Sequence, residues 1–542
     1  MSYTYHPMQM HLHAGHEPFS SVEGHIANAA ELGMQYVWIT EHDMRMGVRK
    51  YAVRAFDFSK GELMYQDAPD RKCGWETVGE PEIVFENSGM NIIAMSDKPC
   101  GVSFFTTGKR HAVSLIADVT LTVGLRHINT NGKVSVEILL SQHPRRDENG
   151  KLVHESTKLV YVLGDSSEGE IPLKDDGSGI YKLHISQDAE KYAPGGLDNA
   201  FLTARIICEN GASCRFDRFE IDFKNSFQPV LDGQRRVAAE LGKKYGVNPF
   251  VAFEISEAGV HKNCFSTKVP IIDYREKGYN VTGYEAILHV EKHGGIFSYN
   301  HPFEYCKKLM LSDEEKEQCI CDKAEEFINT NVNGASLIEI GFTEGRAGFS
   351  LAQHLKLWDM LSLSGVFITG YGDSDSHNNS LGWFSGNNFA GWIAADASLE
   401  FPVPEEEFVK SMKAGRLYTG DPVYIKAPIN FTSDGLPMGA IIPVEEEDNL
   451  PRKMNFMAEA VEDNWTMRVV VDGKTAYEEA LKKGAVDYSF EVTPERPVSF
   501  ARVELYNADG RCIMLTNPIY LVKKNMLSRE LPKERIYAKG NL

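Results

Sequence analysis

At 542 residues the chain is longer than one hydrophobic core organises, since domains run roughly 100–200 residues and barrels seldom pass ~250; several modules are expected. A composition of 42% hydrophobic and 25% charged residues is that of a globular protein and excludes general disorder and low-complexity classes. The formal charge of −19 repels phosphate backbones and anionic bilayers, which disfavours nucleic-acid and membrane partners but leaves room for a small anion beside a bound cation.

The opening MSYTYHPMQMHLHAGH has no basic stretch ahead of an apolar core, and no window approaches ~18 uninterrupted apolar residues, so a cytoplasmic location is expected. Nine cysteines lie without paired spacing, Cys319 and Cys321 being two apart, and are expected to be reduced and structural.

In chain order, the sequence predicts a helix over 21–32, opened by a Ser20/Glu23 capping box and stopped by Gly33, and then a buried parallel strand over 36–40. Between 50 and about 230 the pattern turns to short alternating runs at 112–123, 134–140, 159–163 and 201–208, separated by Gly, Asn and Asp turns, the signature of an antiparallel β-sandwich. The βα alternation then resumes: helix 235–245 with Gly246, strand 250–255, helix 284–293 behind a Thr282/Glu285 capping box, strand 295–299, helix 322–329, strand 336–340, helix 351–363 and strand 366–370. From about 420 strand-like runs return at 466–471, 488–492 and 501–506. Repeated βα units imply a parallel sheet or barrel. The domain map expected is therefore an α/β catalytic portion at 1–50 and 231–419, an inserted β-sandwich at 51–230, and a C-terminal β domain at 420–542.

Each expected strand ends in metal-ligand chemistry: His11-Leu12-His13, Glu41-His42-Asp43, Glu254, His301 and Asp375-Ser376-His377. In a parallel barrel such ends converge on one mouth, and residues at i and i+2 point the same way, which pairs His11 with His13 and Asp375 with His377. Imidazole and carboxylate without thiolate suit Zn²⁺, Mn²⁺ or Fe²⁺, and so many donors imply two or three ions. Arg45, Lys262 and Arg346 follow these segments and could neutralise a substrate's oxygens; Asp43 and Asp373 are expected to orient ligands. His289 and His293, one helical turn apart, read as an ordinary helix end.

The segments HLH at 11–13, TEHD at 40–43, FEISEAGVH at 253–261, NHP at 300–302 and GDSDSH at 372–377 resemble, in order, the motifs of PHP (polymerase and histidinol phosphatase) metallohydrolases. That resemblance implies a distorted (β/α)₇ barrel carrying two or three metals, with His11, His13, His42, Glu254, His261, His301, Asp375 and His377 as ligands. Looser similarity to the carbaryl-hydrolase-like branch lies in GWIAADASLEFPVPEEEFVKSMKAGRLYTGDP at 391–422 and in ARVELYNADGRCIMLTNPIYL. Two departures stand out. The usual TDH is TEH, and the acidic position after the first HxH is replaced by His16-Glu17-Pro18, where either His16 or Glu17 could supply a ligand.

The expected activity is metal-assisted hydrolysis of a small phosphate ester, with Asp375, His377 and Arg45 as the catalytic candidates. A carbamate, carboxylic ester or amide hydrolase on the same metals is one alternative. A non-catalytic, metal-containing carbohydrate- or protein-binding protein is the other.

Overall fold

The computed structural model describes residues 3–528 and Arg535, apart from 18, 48–52, 66–74, 87, 105–111, 130–131, 175, 259, 279, 305, 307–310, 342–347, 379–388 and 448. Arg346 and Pro18 lie outside the described residues. Among the described residues no helix is long and apolar enough to cross a membrane.

The chain begins with β1 (Tyr3–Gln9), α1 (Val22–Leu32) and β2 (Tyr36–His42), whose every residue is buried. Gly33 adopts the left-handed conformation (φ 77°) that stops α1. After the insertion come α2 (Gln228–Tyr245), β3 (Asn248–Ile255), β4 (Lys262–Phe265), α3 (Gly283–Lys292), β5 (Ile296–Tyr299), α4 (Asp313–Thr330), β6 (Leu337–Gly341), α5 (Leu351–Leu363), β7 (Thr369–Gly372), β8 (Ala390–Asp396), α6 (Glu405–Lys413) and β9 (Leu417–Gly420). Thr282/Glu285, Ser312/Glu315 and Ser350/Gln353 form complete capping boxes.

The expected (β/α)₇ barrel is not what these strands build. Strand residues outnumber helical ones by 45% to 22%. The main sheet is 15-stranded and mixed, in the order β7-β6-β5-β4-β3-β2-β1-β8-β9, continuing into Cys512–Thr516, Val498–Tyr506, Thr466–Val471 and Lys474–Ala480, with Ile519–Lys523 branching from Val498–Tyr506 and pairing Ile441–Val444. Parallel ladders join β1 to β2, β2 to β3, β5 to β6 and β6 to β7. Two features break the barrel pattern. The β3–β4 connection is a hairpin, with Glu254 opposite Asn263, so β4 runs antiparallel to both its neighbours. The free side of β1 is taken by antiparallel β8, with Tyr3 opposite Asp396. The hydrophobic run of β4 is too short for its period to reveal direction, and a strand pairs antiparallel whenever its connection is too short for a crossover. The C-terminal strands thus partly extend the main sheet; Ile429–Ser433, Leu436–Pro437, Arg452–Val461 and Gly484–Val492 form a separate four-stranded one.

Between β2 and α2 lie two seven-stranded sheets. Alternate residues Val119, Leu121, Val123 and Leu125 of one, and Val134, Val136, Ile138 and Leu140 of the other, are buried, as the two-residue strand period requires of facing sheets. Their core is continuous with Ile26, Val37 and Ile39 of the first βα unit and with Val230 and Leu231 of α2. Cys306 and Cys319 are joined as a disulfide, which corrects the expectation that all the cysteines are reduced.

Candidate metal centre

The chain leaves β1 still extended, so Met10 and Leu12 enter apolar clusters while His11 and His13 face the opposite way. There His11 Nε2 lies 2.9 Å from His13 Nε2, and Asp375 Oδ1 lies 3.2 and 3.0 Å from the two nitrogens. From the end of β2, His42 stacks on His13 with ring centroids 4.2 Å apart. Glu254, fully buried on β3, brings Oε2 within 2.6 Å of His42 Nδ1 and 3.2 Å of His261 Nδ1, and Oε1 within 3.6 Å of His301 Nε2. His377 also stacks on His13, ring centroids 4.1 Å apart, and lies 5.7 Å from His42. All eight residues expected as ligands are therefore brought together, in overlapping groups whose donor atoms lie within 4.8 Å of one another.

Backbone strain marks two of them. His301 and Asp375 adopt φ of 47° and 43°, a region where non-glycine residues cost about 1–3 kcal/mol and persist when surroundings over-determine them.

Sequence reasoning passed over the residue that ties the cluster together. Glu339, a lone acid in the apolar β6 run, places Oε1 2.7 Å from His11 Nδ1 and Oε2 2.6 Å from His301 Nδ1, accepts the His301 amide at 2.8 Å, and accepts the Tyr371 hydroxyl at 3.1 Å. The hydrogen bond from His11 keeps a proton on its Nδ1 and turns its Nε2 toward the centre, while the contact with His301 Nδ1 is an ion-pair approach. Glu41 acts on the chain instead: Oε2 accepts the amides of Ala14 and His16 at 3.1 and 3.2 Å, fixing the loop that follows His13. Asn300 donates to Glu254 Oε1 at 2.8 Å. A solitary acid in an otherwise apolar strand was the signal available for Glu339.

Other expected residues fall differently. Asp373 reaches within 3.7 Å of His11 Nδ1, and burial together with the Glu339 charge pushes its carboxyl up to about 7. Asp43 faces away from the histidines, contrary to its expected role: it accepts the Ser256 amide at 3.1 Å and the Tyr274 hydroxyl at 2.5 Å, tying the end of β2 to the segment beyond β3. Glu17 is held by Arg45, with Oε1 3.8 Å from His377 Nε2. His16 is buried, its ring nitrogens without a hydrogen-bond partner among the described residues, Nδ1 3.7 Å from Glu41. Lys262 is buried and donates to the Val260 carbonyl. His289 and His293 bond to the Pro270 and His289 carbonyls, an ordinary helix end.

The donor set fits divalent cations. Glu254, Glu339, Asp373 and Asp375 are all buried around His11, and gathering carboxylates away from water is costly unless positive charge is gathered with them. His42 Nδ1 and Glu254 Oε2 approach to 2.6 Å, yet neither has a partner of hydrogen-bonding geometry; two ligand atoms aimed at one point give that arrangement. Ligands for the ions would be His11, His13, His42, Glu254, His261, His301, Asp375 and His377.

No protein-family profile matches the chain, and no curated protein matches it. Among solved structures it is similar to a native family 12 xyloglucanase from Bacillus licheniformis (9% identity, 28% of this chain and 87% of that one, TM-score 0.18). It is also similar to a thermostable cellulase derived from the Cel12A cellulase of Rhodothermus marinus (14%, 28% and 98%, TM-score 0.19). A third is endo-1,4-β-D-xylanase 10B of Clostridium thermocellum in complex with xylohexaose (12%, 60% and 82%, TM-score 0.15). At such scores these likenesses carry no argument about fold or function.

Proposed function

We propose that the chain is a metal-dependent hydrolase acting on a small phosphate ester. The observation that carries the reading is the convergence of five buried or half-buried segments on one group of imidazole and carboxylate donors, oriented from behind by Glu339. The order of the motifs, which resembles that of PHP metallohydrolases, supports it at the level of the ligand residues and not of the fold. Divalent ions bound there would supply Lewis acidity and acidify a water for attack.

The chain's own groups set the rest. Glu339 fixes the tautomer of His11 and stands against His301 Nδ1. His377 Nδ1 donates to the Asp375 carbonyl at 2.9 Å, so its Nε2 carries the lone pair toward the cluster. Arg45, side by side with Glu17, stands where it could exchange that carboxylate for a substrate oxygen.

The same ion pair favours a second reading, because a guanidinium already neutralised by Glu17 adds little for an anionic substrate and suits a neutral carbamate or carboxylic ester. A panel of phosphomonoesters, phosphodiesters, carbamates and carboxylic esters, offered to metal-quantified protein, separates the two. Chelator-sensitive turnover of a phosphate ester is the expected result. Turnover of neutral esters alone would install the second reading, and tight metal binding without turnover of any ester would install the non-catalytic one.

A further inference from the structure

The insertion does more than sit in a loop. α1 begins where the ligand loop ends, and its first amides are satisfied from two sources. Ser21 caps Gly24 N at 3.0 Å, while Asp198, on the inserted sandwich, accepts Val22 N at 2.8 Å and Glu23 N at 2.7 Å. The expected Ser20/Glu23 capping box does not form. Ser20 donates instead to the His13 carbonyl at 2.8 Å, and His25 of α1 places Nε2 2.8 Å from the same oxygen. Glu23 turns outward: Oε1 accepts Lys244 and Tyr245 of α2, and Oε2 lies 3.1 Å from Nδ1 of His143, on the sandwich strand Lys133–Arg146.

His143 is buried, and its hydrogen bonds define its charge. Asn199 spends its amide nitrogen on the Pro194 and Gly196 carbonyls, so it is Asn199 Oδ1 that faces His143 Nε2 at 3.0 Å. With a carboxylate on Nδ1 and an amide oxygen on Nε2, both nitrogens must carry protons. Gly195 wraps the ring so closely that an added Cβ would fall 2.0 Å from His143 Cε1. On the far face of α1, His154 Nε2 meets Asn28 Oδ1 at 3.1 Å, and Arg146 pairs with Glu31 at the exposed end.

We infer that Asp198, His143 and Glu23 form a proton-dependent latch by which the inserted sandwich grips α1 and, through Ser20 and His25, holds His13 in place. Remove the imidazolium proton and two buried carboxylates, Glu23 and Asp198, face each other with Lys244 opposing only one of them. The His143 and Asp198 titrations agree in sign, while Glu23, whose burial is outweighed by its bonds to His143, Lys244 and Tyr245, is pulled down to about 2 and stays ionised over the range concerned. Burial lowers the His143 pKa, but the Glu23 bond and the Asp198 charge outweigh it and raise the group above its ordinary value; a raised histidine contributes stability in full below ~6.5, lost as pH rises through the raised value. Burial pushes Asp198 up to about 6, so it too favours the closed state on the acid side. His154, lowered to about 4 by burial and by the His143 charge, stays neutral throughout.

The latch stands apart from the metal reading; only its transmission to His13 rests on it. Hydrogen exchange of full-length protein over residues 20–32, corrected for intrinsic rates, should show protection falling between pH 6.5 and 9, and H143Q should exchange about 10- to 100-fold faster than wild type at pH 6.5 while converging at pH 9. Protection in wild type that is unchanged by pH would overturn the latch even if H143Q does not fold, as would equal exchange in both proteins at pH 6.5. With Zn²⁺ as probe, chelator-driven metal loss should accelerate in step; equal loss from both proteins would overturn the transmission. Protein that takes up no zinc would remove the metal reading, while exchange still decides the latch.

Discussion

Glu339→Gln is the sharpest perturbation of the proposed centre because it keeps volume and shape while replacing one acceptor oxygen by a donor. In the structure both oxygens face imidazole Nδ1 atoms, at 2.7 Å from His11 and 2.6 Å from His301. Only one can keep its partner. The ring left facing the amide nitrogen must turn away or carry its proton on Nε2, which removes that nitrogen as a ligand. A charge-assisted hydrogen bond contributes about 1.5–3 kcal/mol, and orienting carboxylates of this kind alter metal affinity by about 10–100-fold, or roughly 1.4–2.7 kcal/mol; two independent routes give the same size. Competition titration with a chelating dye should therefore show Zn²⁺ affinity reduced about 10–100-fold. Far-ultraviolet circular dichroism should be unchanged, since the amide still accepts the His301 N–H or the Tyr371 hydroxyl. Affinity within about two-fold of wild type, alongside a clear loss in Asp375→Ala, would refute the orienting role.

Elemental analysis of chelator-free protein should find at least two transition-metal ions per chain, since eight donors exceed the four to six one such ion takes; less than one ion after loading with Zn²⁺ or Mn²⁺ would undo the proposal. His11→Ala should abolish hydrolysis with the two sandwich sheets still folded, read as lost turnover with retained β-type dichroism. Arg45→Ala should lower kcat/KM for a phosphate ester by about 10–1000-fold, the loss of one or two charge-assisted contacts, and should leave neutral esters less affected; an equal fall for both classes would show that Arg45 serves only to hold Glu17.

The clustered histidines and acids were readable because their chemistry is unusual for their place. A histidine or acid at the end of a buried apolar run must be satisfied by something, and the sequence carries five such endings. Local elements were readable for a related reason: α5 is bounded as its periodicity predicts, 351–363, and Thr282 caps α3 as expected. What failed was the strand list: no strand was expected at 262–265 or 390–396, the two that pair antiparallel into the sheet. The run Asn263-Cys264-Phe265 is too short to carry a period, and Gly391 to Ala395 looks the same whether it pairs with β1 or with a C-terminal strand, so a mixed sheet was indistinguishable from a ring of βα units.

Partner choice among polar groups was illegible for a different reason. Asp43 adjoins His42 in sequence, yet lies behind it, because neighbouring residues at a strand end point to opposite faces and Asp43 opens a helical turn that carries it toward Ser256 and Tyr274. Glu339, distant from every histidine in sequence, reaches two of them because β6 lies beside β5, and β5 leads directly into His301. Sequence adjacency therefore ranked the two carboxylates in the wrong order, and only the sheet order corrects it. The same reasoning explains Glu23. Its spacing from Ser20 satisfies the capping-box pattern, but a buried imidazole on the sandwich offers its side chain a charge-assisted bond in a site shielded from water, and Asp198 rather than Ser20 accepts the Glu23 amide, so neither half of the box forms.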